Sequence, residues 1–78
     1  MIIQNPEHDG ERAGRRAAEK FKLAAAEGRP FNRVDAYYPS DIPALTREAE
    51  QMVASDSVEL QRSGRFWLAY TSTFSKEI

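Results

Sequence analysis

The stretch Arg65-Phe66-Trp67-Leu68-Ala69-Tyr70-Thr71-Ser72-Thr73-Phe74 decides the fold of this chain. It holds four of the eight aromatic residues and the only Trp. A chain of 78 residues has room for one small core, so these rings either fill that core or form a docking surface. Read as a helix, Phe66, Tyr70 and Phe74 stack at i, i+4 and i+8. Read as a strand, Phe66, Leu68, Tyr70 and Phe74 alternate with Trp67, Ala69 and Thr71. The Thr and aromatic content favours a strand. Asp56 followed three residues later by Glu59 reads as a capping arrangement that starts a helix upstream, and Ser63-Gly64 weakens it. The helical reading is adopted here. It makes residues 1–78 one mostly α domain, a compact bundle of about three helices. The alternative is an α+β fold in which the C-terminal segment pairs as a strand with Met1-Ile2-Ile3.

Working back along the chain, residues 40–55 form the clearest helical pattern. Ser40 or Asp41 caps it and Pro43 suits its first turn. Ile42, Leu45, Ala49, Met52 and Val53 fall within about 100° of arc, the stripe of a helix with one buried side. Residues 29–39 read as a linker around Pro30 and Pro39, in which Val34, Ala36 and Tyr38 alternate as a short strand would. The first helix starts near Glu7 or Gly10, after Asn5-Pro6 or Asp9, and runs to Glu27, where Gly28 supplies the stop. Its apolar arc is Ala13, Gly14, Ala17, Ala18, Phe21, Ala24 and Ala25. Such small residues let another helix come close, and the stripe of the second helix is expected to lie on them.

The net charge is -1, yet the charges are segregated. Residues 11–33 carry seven basic residues against three acids, a balance of +4; residues 35–59 carry six acids against Arg47, a balance of -5. The halves either attract each other, within a chain or across a homodimer, or meet different partners. Arg12, Arg15, Arg16 and Lys22 track one side of the first helix, with Lys20 beside them, and Arg29 and Arg33 extend the track. Such a stripe suits an acidic protein groove or RNA phosphates. The plain reading is a solvated face laced by Glu11–Arg15, Arg15–Glu19 and Glu19–Lys22 pairs. Trp67 and Tyr70, flanked by Arg65, are residue types that dominate protein–protein hot spots. The expected partner surface is therefore Arg12, Arg15, Arg16, Lys22, Arg29, Arg33, Trp67 and Tyr70.

Chemistry finds little support. There is no Cys, so no disulfide and no Cys-based metal site is expected. His8, the only imidazole, lacks facing ligands at i+3 or i+4. No Ser lies in a Gly-x-Ser-x-Gly elbow. Gly10 and Gly14 form a Gly-x-x-x-Gly step on a charged helix, which is a packing device and not a phosphate loop. Glu48 and Glu50 do not converge on a helix. The expectation is no enzyme, no metal and no cofactor. The start shows no basic and apolar leader pattern, and no apolar run is long enough to span a bilayer, so a cytoplasmic protein is expected.

Residues 15–29, Arg-Arg-Ala-Ala-Glu-Lys-Phe-Lys-Leu-Ala-Ala-Ala-Glu-Gly-Arg, with Gln61-Arg62-Ser63 and Trp67-Leu68 further on, resemble the ribosome modulation factor family. That resemblance implies an Ala-rich basic helix, a second helix carrying the Gln-Arg-Ser and Trp-Leu pairs, and binding to the small ribosomal subunit that silences translation. Where the family has helix glycines, this chain has Phe21, Ala25 and Ala69, and the acidic helix of residues 40–55 stands between the matching parts. In size, charge layout and aromatic end the chain is also similar to small phage anti-defence proteins, such as anti-CRISPR proteins. That similarity implies a stoichiometric inhibitor or regulator that covers a working surface of a larger complex. The ribosome- or RNA-binding modulator is the alternative.

Overall fold

The structure, a computed structural model, describes residues 5–28 and 39–78. Among them every regular element is helical, so the decisive stretch is a helix and not a strand. Helix α1 runs Pro6–Glu27. It starts at the earlier of the two expected positions, because the Asn5 side chain accepts the His8 N–H at 3.1 Å and Pro6 needs no N–H partner. Gly28 ends it at φ 70, a left-handed conformation that costs glycine nothing, and its N–H turns back to the carbonyls of Ala24 and Ala25. A short 3-10 turn, Pro39–Asp41, leads into α2, Ile42–Val53.

Helix α3 spans Val58–Glu77. Its cap is Ser57, whose Oγ accepts the Leu60 N–H at 3.4 Å, and not the expected Asp56. The tight turn before it explains the shift. Ser55 Oγ accepts the Ser57 N–H at 3.1 Å, and Gln61 Nε2 donates to the Ser55 carbonyl at 2.7 Å. These bonds hold Ser57 extended at the helix mouth and leave Asp56 in the bend. The strand imagined at Val34, Ala36 and Tyr38, and the strand partner Met1-Ile2-Ile3, lie outside the described residues.

Helix α3 is the middle of the molecule, with α1 packed on one side and α2 on another, while α1 and α2 scarcely touch. Gly10 sits on the Phe66 backbone and Gly14 on the Tyr70 backbone, so α1 and α3 run parallel. A methyl group at Gly14 would lie 2.5 Å from the Tyr70 carbonyl oxygen, and one at Gly10 would collide with that of Phe66. The Gly-x-x-x-Gly step is thus the close-packing device expected of it. On the other side Gly64 faces α2: a methyl there would lie 2.8 Å from the Ala49 carbonyl oxygen and 2.7 Å from Val53 Cγ2. Residues 49 and 53 meet 64, while Ile42 lies with Tyr70 and Phe74, so α2 runs antiparallel to α3.

The expected burial of Ile42, Leu45, Ala49, Met52 and Val53 against α1 is therefore corrected. The small face of α1 is taken by the α3 backbone, and α2 lies on α3. Ile42 joins Ala17, Ala18, Tyr70 and Phe74 in the shared core, and Leu45 packs against it. Ala49 is buried, Leu45 and Met52 are half-buried, and Val53 is at the surface. Ala25, placed by the arc on the inner side of α1, is exposed. The aromatic ladder holds as read. Tyr70 stacks on Phe66 at 6.4 Å and on Phe74 at 6.3 Å, and Phe21 of α1 meets Phe74 edge-on at 6.2 Å.

Candidate interaction surface

Because glycines seat α1 on the α3 backbone, its charged side chains are pushed to the other side. Arg12, Arg15, Arg16, Lys20 and Lys22 are all exposed. They are not equivalent. Arg15 bonds Glu11 at 3.0 Å and reaches Glu77 of α3 at 3.7 Å, so it serves as a clasp between helices. Arg12, Arg16, Lys20 and Lys22 enter no ion pair among the described residues. Of the three lacing pairs considered for this face, Glu11–Arg15 forms, and Arg15–Glu19 and Glu19–Lys22 do not. Arg29 and Arg33 lie outside the described residues.

Four acids of residues 35–59 do not answer these cations. Glu48, Glu50, Asp56 and Glu59 are exposed and enter no ion pair with α1. The cross-helix pairs that do form, Arg15–Glu77 and Arg65–Glu7 at 3.7 Å, tie α1 to α3 instead. This follows from topology: α1 and α2 each pack on α3 rather than on each other.

The two aromatic candidates separate. Tyr70 is 7% exposed and belongs to the core, which leaves it little surface to offer as an anchor. Trp67 is half-buried, edge-on to Phe66 at 5.1 Å and to Tyr70 at 5.2 Å. At about 100° per residue, the α3 positions that meet α1 (66, 70, 73) and those that face α2 (64, 67) point roughly 120° apart. Trp67 and Tyr70 lie on the arc between, forming the floor of a shallow valley flanked by α1 and α2.

Two recesses open along this valley. One, of ≈ 170 Å³, is lined by Ala13, Arg16, Ala17, Lys20 and Tyr70. The other, of ≈ 150 Å³, is lined by Leu45, Glu48, Ala49, Met52 and Trp67. Both are smaller than the ~300–1,000 Å³ typical of small-molecule sites, so each suits a side chain rather than a substrate. Lys20, beside the expected track of cations, lines the first of these recesses. Its place shows in the i, i+4 spacing of Arg16 and Lys20 beside that of Ala13 and Ala17, cations flanking a notch made of methyl groups.

His8 is exposed, and its backbone N–H is taken up by the α1 cap. Among the described residues no three His, Asp or Glu side chains gather as metal ligands would. No helix among them is long and apolar enough to cross a membrane. Comparison with family models, with curated proteins and with solved structures yields no match, so what this surface does has to be argued from its own chemistry.

Proposed function

We propose that this chain is a non-catalytic binding protein that inhibits or regulates a larger complex stoichiometrically, as the phage anti-defence proteins of similar size and charge layout do. The proposal places it in the cytoplasm, where such complexes work. One observation carries it: the fold leaves Arg12, Arg16, Lys20 and Lys22 without ion-pair partners among the described residues, on a helix whose opposite side is locked to a neighbouring backbone. Exposed cations add little to stability, so a row of them on a rigid helix is surplus to folding and suited to docking.

The same row supports a second reading, a ribosome- or RNA-binding modulator of the kind the ribosome modulation factor resemblance implies. RNA binding through several phosphates weakens steeply with salt, and a protein contact with an apolar anchor does so less.

The test is capture from a lysate by the full chain and by a triple variant, Arg12→Glu, Arg16→Glu, Lys20→Glu, each with and without nuclease. Arg15 is left in place because it clasps α3. A defined protein complex held in near-equimolar amount with nuclease present, and lost by the triple variant at unchanged melting temperature, is the expected result. Capture that vanishes with nuclease favours the RNA reading, and capture indifferent to charge reversal removes α1 from the contact. His8→Ala is expected to leave inhibition intact; its loss in a folded variant would point back to catalysis.

A further inference from the structure

We infer that the recess flanked by Arg16 and Lys20 receives an acidic helical segment of the partner protein, anchored by one apolar side chain. This deepens the reading above and rests on it. The recess is lined by two cations, the methyl groups of Ala13 and Ala17, and Tyr70, with no carboxylate among the described residues that line it. Its ≈ 170 Å³ accommodates a single inserted side chain. Arg12, Arg16 and Lys20 follow one another every four residues, about 6 Å apart along the axis. A partner helix laid along α1 presents Glu at the same interval, while an apolar residue beside them enters the notch, as in helix-in-groove recognition.

The charge layout favours a short acidic segment over a nucleic acid. Glu48 lines the neighbouring recess, across the 5.2 Å contact between Trp67 and Tyr70, and Glu50, Asp56 and Glu59 are exposed further along. A long polyanion continuing past the cationic recess would run into that negative surface. A helix that ends after a few turns does not.

The probe is an Ala-based helical peptide bearing Glu at i, i+4 and i+8 with a Leu beside them. Its Gln counterpart, an oligouridylate and inorganic phosphate are the other arms, each titrated onto the full chain while the Ala13 and Ala17 amides and the Arg16 Nε–H are followed by NMR. The Glu peptide should shift these signals, and Arg16→Gln with Lys20→Gln should weaken it roughly tenfold. Equal binding of the Gln peptide, a preference for oligouridylate, an effect reproduced by phosphate alone, or shifts confined to other residues would each overturn the inference. Ala13→Leu, which fills the notch without touching charge, separates the two claims once its fold is verified by circular dichroism. If Ala13→Leu still captures the complex that the triple reversal loses, the recess is wrong and the α1 reading stands. If the triple reversal captures it too, both fail.

Discussion

The two seams of α3 are built differently. Against α1, two glycines one turn apart bring backbone onto backbone, and Arg15–Glu77 and Arg65–Glu7 add charged contacts between the same two helices. Against α2, one glycine makes the close approach, and the flanking Leu45, Met52 and Trp67 remain half-buried while Val53 reaches the surface. At its glycines the α1 seam depends on shape and on backbone that does not readily yield; the α2 seam depends more on apolar side chains that can shift. Steric insults should therefore fall hardest on the first and truncations on the second.

The largest effect is expected where the seams converge. Phe74 is 0% exposed and touches the shared core, so Phe74→Ala should cost about 3–5 kcal/mol in a denaturant titration, close to the whole stability of a small domain. A smaller loss would mean that the core can collapse around the gap. Next, Gly10→Ala drives a methyl into the Phe66 carbonyl. Alanine gains up to ~1 kcal/mol of helix propensity, yet a net loss of about 1–3 kcal/mol is expected because backbone must move. Hydrogen exchange should then show α1 opening ahead of the α2–α3 pair; a stabilised variant would erase the distinction between the seams. Met52→Ala, at the softer seam, should cost about 1–2 kcal/mol, below the range for a fully buried Met. A cost as high as that of Phe74→Ala would show the α2 seam to be as rigid as the other. Smallest is Arg15→Ala. Its pairs are half exposed, so thermal melts should show a loss under about 1 kcal/mol, fading at high salt.

Local signals in this sequence were readable because they act within a few residues. Asn5-Pro6 and Gly28 fix the ends of α1, and the four-residue spacing of Phe66, Tyr70 and Phe74 fixes the ladder. The choice of neighbours was not readable. The small face of α1 suits any close partner, and the stripe of α2 asks for cover without naming it. Gly64, read as a weakness in α3, is what admits α2 to that helix. Two cap-formers in succession, Asp56 and Ser57, look alike until the Gln61–Ser55 bond selects one. For the site, the cations of α1 were legible from their arc. The burial of Tyr70 and the half-burial of Trp67 were not, since three residues along a helix turn a ring by about 60° and only the packed neighbours decide which way is inward.

The parallel run of α1 and α3 also sets an order in time. Ala49 and Gly64 are near neighbours along the chain, so the α2–α3 hairpin closes over a short loop at little entropic cost. Gly10 and Phe66 come from opposite ends, and their seam can form only when most of the chain has been gathered. Docking of α1 is thus expected to be the late step of folding. The helix that carries the exposed cations is also the one whose arrival completes the domain, so a partner gripping it from outside would hold the last step in place.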